Sequence, residues 1–217
     1  MENSKIKRAL LIILDGVGIG PIGDNNGWTL ADTPNIDLLL KDYPSAAIEA
    51  SGENVGLPKY QMGNSEVGHM IIGSGKIFKQ DLVIINEAIE DSSFFSNEAI
   101  LNAIFSAKEN NSSLHLLGLA SPGGVHSHIN HLLSILKICK SYGISPKLHL
   151  FTDGRDSDPK SSIEILDNLD KSLKEYGGEI YTISGRYYAM DRDQRWSRTE
   201  LAWDAIVNNK GETRKDY

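Results

Sequence analysis

At 217 residues with 40% apolar content, the chain is long enough for one large domain or two small ones, and it can bury a core. Lys plus Arg is 22 against 29 Asp plus Glu, a formal charge of -7, which excludes a surface built mainly to neutralise nucleic-acid phosphates. A single cysteine excludes a disulfide framework, and the apolar run that follows MENSKIKR is too short for a signal core or a membrane span, so a soluble cytoplasmic protein is expected.

Taken in order, Ala9 to Leu14 is a continuous apolar run closed by Asp15-Gly16, the pattern of a parallel strand buried on both faces. The form recurs at Leu114 to Leu119 before a Pro-Gly-Gly loop, at Lys147 to Phe151 before Thr152-Asp153-Gly154, and at Glu179 to Ile183 before Ser184-Gly185. Apolar residues at three-and-four spacing predict helices over 34–42, 82–90, 97–109, 129–142, 160–176 and 197–208. Cys139 falls inside the fourth of these patterns, where a buried thiol is expected. Strands alternating with helices specify an α/β fold with a mainly parallel sheet. The glycines of GSGKIFKQ, residues 73–80, mark the best crossing between two domains, taken here as 1–79 and 80–217.

In open α/β sheets, ligands collect outside the carboxyl ends of the strands. The residues just after the apolar runs are accordingly rich in chemistry: Asp15; His126 and His128 in GGVHSH; Asp153, Arg155 and Asp156 in DGRD; Arg186; and Arg192 between Asp191 and Asp193. Asp15 has two readings, a carboxylate offered to a metal or an Asx-turn closing a strand. Ser65, in QMGNSEVGH, has two as well, a cap at a helix start or a nucleophile whose hydroxyl needs activation by a base or a metal. Gly63 and Gly68 on either side would let a ligand approach the backbone, and a helix start favours an anion such as phosphate.

Guanidinium groups of Arg155, Arg186 and Arg192 suit bidentate grip on carboxylate or phosphate, whereas Arg195 and Arg198 lie at helical pairing distance from Asp193 and Glu200 and read more as surface charges. His126, directly after Gly-Gly-Val, is the histidine expected to meet substrate. His131 is expected to pack or cap, His69, His115 and His149 are read as structural, and the 126, 128, 131 spacing reproduces no standard zinc motif.

Six stretches, ALLIILDGVG, ADTPNIDLL, QMGNSEVGHMIIGSG, GLASPGGVHSHINHL, LHLFTDGRDSDPKSS and SGRYYAMDRDQRW, together resemble the cofactor-independent phosphoglycerate mutases of the alkaline phosphatase superfamily, in order along almost the whole chain. The resemblance implies an α/β/α phosphatase domain with an inserted α/β substrate domain. It implies an isomerase of glycolysis and gluconeogenesis that interconverts 3-phosphoglycerate and 2-phosphoglycerate through a phosphoserine, with two manganese ions and no 2,3-bisphosphoglycerate requirement. Carried over residue by residue, Ser65 is nucleophile and metal ligand, and Asp15 binds the same metal. Asp156 is the general acid/base and a substrate contact, and His126, Arg155, Arg186 and Arg192 hold the phosphoglycerate. The complete enzyme is expected to be a monomer in the cytoplasm, without nucleic-acid or membrane partners.

The same resemblance implies a later segment carrying the remaining metal ligands, which the sequence through Tyr217 does not contain. The 1–79 piece is therefore expected to be an incomplete phosphatase domain, and 80–217 most of a substrate domain truncated at its C-terminal end. Two alternatives stand beside the mutase: a metal-dependent phosphatase of the same superfamily, and a catalytically inactive binding fragment that keeps the arginine-lined loops.

Overall fold

The computed structural model describes residues 9–213; the charged stretch at 1–8 and the last four residues lie outside them. The chain divides into two compact units, one running through Phe78 and the other beginning at Lys79.

The first unit contains α1 (Gly27–Leu30), α2 (Pro34–Asp42), a single 3-10 turn (Gly52–Val55) and α3 (Ser65–Ser74). Pro34 opens α2, where its missing N–H is no loss and its fixed φ suits the first turn. Val55, Leu57 and Val67 are buried together with Ile71 packed on them, a small apolar cluster that seats α3 on the turn before it. The strand expected at 9–14 is not formed. Leu10 and Ile12 are 84% and 71% exposed, and this unit has no strand among its described residues to receive their backbone groups. An apolar run becomes a strand only when a neighbour pairs with its N–H and C=O groups.

The second unit runs α4 (Asp81–Glu90), a 3-10 turn (Ser93–Ser96), α5 (Glu98–Glu109), β1 (His115–Ala120), α6 (Ile129–Ser141), β2 (Lys147–Thr152), α7 (Ser162–Tyr176), β3 (Glu179–Gly185), α8 (Arg186–Ala189) and α9 (Trp196–Val207). The three strands form one parallel sheet in the order β1-β2-β3. His115 pairs with Lys147 at one end and Ala120 with Thr152 at the other, so all three strands finish at the same edge. The β2–β3 pairing shifts register between Leu148 and His149.

Alternation along the strands sends Leu116, Ala120, Leu148, Leu150 and Ile180 to one face, where they pack with Leu136 of α6 and Leu166, Leu169 and Leu173 of α7. Leu136, Leu148, Leu150 and Leu169 are no more than 2% exposed, and each such side chain contributes about 1.5–3 kcal/mol by leaving water. A second cluster of Ile104, Ile138 and Cys139, with Phe94 and Phe95, joins α5 to α6. Burial pushes the Cys139 thiol up to about 11, so it is un-ionised and inert at neutral pH.

Helix starts follow local rules. Asn97 caps α5 by accepting hydrogen bonds from the amides of Ala99 and Ile100. At α6 the capping residue is His128, whose Nδ1 accepts from the Asn130 amide; His131, expected to pack or cap, is half-buried and bonds through Nε2 to Asn86 Oδ1 on α4 at 2.7 Å. Among the described residues, no helix is long and apolar enough to cross a membrane.

Candidate functional site

In the second unit the carboxyl ends of β1 and β2 give way to loops that begin at Ser121 and Asp153, and β3 runs directly into α8 at Arg186. Between these strand ends opens a cleft of about 830 Å³ lined by His126, Arg155, Asp156, Arg186, Arg192 and Arg198, among others. All five residues read from the sequence as substrate-binding thus share one concavity. The parallel order explains it, because every crossover returns the chain so that each strand ends at the same edge.

The loop after β1 is held by short local bonds. Ser127 Oγ donates to the Leu119 carbonyl at 2.6 Å, and the Ile129 amide to the Ser121 carbonyl at 2.9 Å. This leaves His126 exposed at the tip, with Nε2 3.8 Å from Asp156 Oδ2. Gly123 packs against the backbone of Asp156 so closely that a Cβ there would stand 2.4 Å from its carbonyl oxygen.

Beneath the cleft lies Asp153, whose side chain has no solvent exposure. Its Oδ2 accepts from Ser121 Oγ at 2.6 Å, and its Oδ1 accepts from the amides of Gly154, Arg155 and Asp156 at 2.8, 3.0 and 3.2 Å and from Arg186 Nη1 at 2.8 Å. Burial works against its ionisation, yet the Ser121 hydroxyl, the Arg155 amide, the Arg186 guanidinium and the Asp156 amide outweigh it and hold the carboxyl well below the usual carboxylate range. Arg186 Nη1 also bonds Asp156 Oδ2 at 2.6 Å. Burial disfavours the Arg186 charge, but the two carboxylates more than offset this and strengthen its hold on the proton.

The other arginines divide by what they touch. Arg198 stacks over Tyr187, 3.7 Å from the ring centroid, with Nη1 3.4 Å from Asp191 Oδ1, whose side chain is 3% exposed. Arg195 makes an exposed pair with Asp193 at 3.4 Å. Arg155 and Arg192, both exposed, have no acidic partner among the described residues, which leaves two guanidinium forks facing the cleft for an incoming anion.

The first unit settles the question of the serine's local role. Asn64 caps α3, its side chain accepting from the Val67 amide at 3.0 Å, so Ser65 sits one residue inside the helix with its hydroxyl free of capping. That hydroxyl donates a short hydrogen bond to Asp15 Oδ2. His69 bonds through Nδ1 to the Ser65 carbonyl at 2.7 Å. With Nδ1 donating there, the same nitrogen is not a base for the hydroxyl. Gly63 is required by the protein itself, since a Cβ would fall 1.9 Å from the Ala50 carbonyl oxygen, while Gly68 has open space around it. Asp15 and Ser65 offer two oxygen donors of the kind divalent cations take. No group of three His, Cys, Asp or Glu among the described residues is arranged to hold a metal.

Sequence reasoning missed Asp153 and Ser121 as organisers and underrated Arg198. Asp153 had a signal, as the first acid after an apolar run. Ser121 had none, because its partner lies 32 positions along the chain.

Residues 85–217 match the family model described as BPG-independent PGAM N-terminus, and residues 7–130 match that of the Metalloenzyme superfamily. A 2,3-bisphosphoglycerate-independent phosphoglycerate mutase of Clostridium beijerinckii is 52% identical over 209 residues, covering 95% of this chain and 41% of that protein. Its namesake in Mycoplasmoides gallisepticum is 50% identical over 211 residues, covering 97% of this chain and 42% of that protein. In a crystallographic study at low cobalt concentration, Leishmania mexicana phosphoglycerate mutase is similar with a TM-score of 0.79 at 34% identity, over 92% of this chain and 38% of that one. The chain therefore spans 41% and 42% of the length of these two curated relatives.

Proposed function

The chain belongs to the BPG-independent phosphoglycerate mutase N-terminus family and to the Metalloenzyme superfamily, and on that premise we propose that it supplies the phosphate-accepting serine and the glycerate-binding loops of a mutase that interconverts 3-phosphoglycerate and 2-phosphoglycerate. Residues 1–79 would be the first piece of a discontinuous phosphatase domain, with its apolar 9–14 run awaiting neighbouring strands, and 80–217 the substrate domain. The observation that carries the proposal is the gathering of His126, Arg155, Asp156, Arg186 and Arg192 in one cleft.

A bisubstituted three-carbon acid carries a carboxylate and a phosphate. Arg155 and Arg192 match such groups because their forks have no acidic partner among the described residues, and each can grip an anion with two parallel hydrogen bonds. Arg186 is already held by two carboxylates, so it aims Asp156 more than it neutralises substrate. Asp156, between Arg186 and His126, would take and return the proton of a glycerate hydroxyl, a role worth roughly 10² to 10⁴ in rate. In the chemical sequence the Ser65 hydroxyl releases its proton to solvent as its oxygen attacks phosphorus, the bond to the glycerate oxygen breaks, and that oxygen takes up a proton. The glycerate turns, its other hydroxyl gives up a proton and attacks the phosphoserine, and the Ser65 oxygen leaves and regains a proton.

Two manganese ions, one of them held by Asp15 and Ser65 with donors from elsewhere in the whole protein, would lower the proton affinity of the serine oxygen and neutralise phosphate charge. Similar oxygen sites accept other divalent ions. The whole protein would act as a cytoplasmic monomer on small molecules.

Calorimetric titration of this chain with 3-phosphoglycerate tests the cleft. Saturable binding is expected, weakened at least about tenfold in Arg155→Ala and in Arg192→Ala, as for loss of one charge-assisted contact. No binding by the unaltered chain would overturn the proposal. In the full-length protein, labelled phosphate from substrate should appear on Ser65 and vanish in Ser65→Ala.

A further inference from the structure

We infer that Asp153, which lies beneath the proposed substrate cleft, is the positioning residue that ties the three strand ends together and fixes Arg186, and through it Asp156, in the orientation that meets phosphoglycerate. The inference rests on the cleft's reading as a phosphoglycerate site for its functional consequence, although its structural half stands alone.

Five donors converge on this one carboxylate from all three strand ends. Ser121 comes from the end of β1, three amides from the loop after β2, and Arg186 from the end of β3. Both oxygens are therefore committed, and a side chain with no solvent exposure has no room to contact substrate. It acts through others. Ser121 relays the hold further, since its Oγ also accepts from the Gly123 amide at 3.0 Å, and Gly123 packs on the Asp156 backbone.

The two carboxylates on Arg186 are not equivalent. Asp153 is buried and anchored by four donors other than Arg186, whereas Asp156 is partly exposed and, among the described residues, its carboxylate otherwise meets only His126 at 3.8 Å. A buried charge with a full set of donors is a fixed point, and a partly exposed one exchanges partners with water. Arg186 should thus stay anchored when Asp156 is neutralised and come loose when Asp153 is.

The experiment compares Asp153→Asn and Asp156→Asn with the unaltered chain by nitrogen-15 NMR of the Arg186 guanidinium, whose side-chain N–H signals separate when rotation is slow. Slow rotation is expected in the unaltered chain and in Asp156→Asn, and averaged signals in Asp153→Asn with the backbone amide spectrum otherwise kept. Averaged signals in Asp156→Asn, or slow rotation in a folded Asp153→Asn, overturn the inference; should Asp153→Asn fail to fold, the Asp156→Asn spectrum still decides it. Titration with 3-phosphoglycerate runs in parallel. Asp153→Asn is expected to bind at least about tenfold more weakly, the scale of a charge-assisted bond. If the unaltered chain does not bind at all, the cleft's proposed substrate is wrong while the guanidinium signals still judge the anchoring.

Discussion

Gly123 stands against Asp156 so tightly that an added Cβ would meet the Asp156 carbonyl oxygen at 2.4 Å and its carbonyl carbon at 3.0 Å. The atoms in the way are backbone, so neither loop can yield by rotating a side chain. Gly123→Ala should therefore destabilise the second unit by about 1–3 kcal/mol, the scale of overpacking, and weaken phosphoglycerate binding because Asp156 moves. Gly118, in β1 with nothing within 4 Å of its Cβ position, is the control. Thermal unfolding of Gly118→Ala should be unchanged or raised by about 0.4–1 kcal/mol. Equal behaviour of the two variants would show that the close approach does not matter.

Arg198 and Arg192 are expected to separate stability from binding. Removing the Arg198 side chain strips Tyr187 of its stacked cation and leaves Asp191 nearly buried without its guanidinium partner. Arg198→Ala should lower stability by about 1–3 kcal/mol, the scale of leaving one buried acceptor without its partner. Arg192→Ala removes an exposed guanidinium with no acidic partner among the described residues, and should leave the melting temperature within a degree or two of its starting value while lowering affinity for phosphoglycerate. Calorimetry and thermal unfolding on the same samples read both effects.

His115 Nδ1 and His149 Nε2 lie 2.8 Å apart on the sheet, their rings stacked at 5.1 Å, while His149 Nδ1 contacts Thr182 Oγ1 at 2.9 Å. Such a contact needs one donor and one acceptor nitrogen, so both imidazoles cannot be charged together. The Lys147 ammonium and the edge of Tyr181 are the other titratable groups against the pair. Burial, the neighbouring His115 and Lys147 all push His149 below the ordinary histidine range. A group with a lowered folded value binds fewer protons in the folded than in the unfolded chain. Stability is then full above about pH 6.5 and falls as pH drops through and below it, by up to about 1.4 kcal/mol per pH unit for each proton. Denaturant midpoints between pH 8 and pH 5 should fall, and His149→Gln should flatten that dependence.

Asn64 and Ser65 predict opposite consequences for α3. Asn64→Ala removes the cap and should destabilise the helix start by about 1 kcal/mol. Ser65→Ala keeps the cap and loses the bond to Asp15, so amide exchange at Val67 should quicken in the first variant and hold in the second. Faster exchange in Ser65→Ala alone would return the serine to a structural role.

Much of this was readable along the chain because the forces concerned act locally. The run Lys147 to Thr152 became β2 and the stripe of Leu166, Leu169 and Leu173 became a buried helix face, since the two- and three-to-four-residue periods are properties of short segments. The five cleft residues were legible for a related reason: each follows an apolar run, and a parallel sheet delivers such positions to one edge.

Other features were decided only by contacts between distant segments. Residues 9–14 have the composition of a strand, yet a strand exists only where a second one supplies its hydrogen bonds. The Ser65 hydroxyl likewise finds its partner in Asp15, fifty positions earlier, which no local pattern specifies. Asp153 looked like one acid among several in an exposed loop; only folding brings Ser121 and Arg186 to it from 32 and 33 residues away and makes it the buried centre of the cleft floor. Sequence spacing carries periodicity, whereas the partners of a buried charge are chosen by the third dimension.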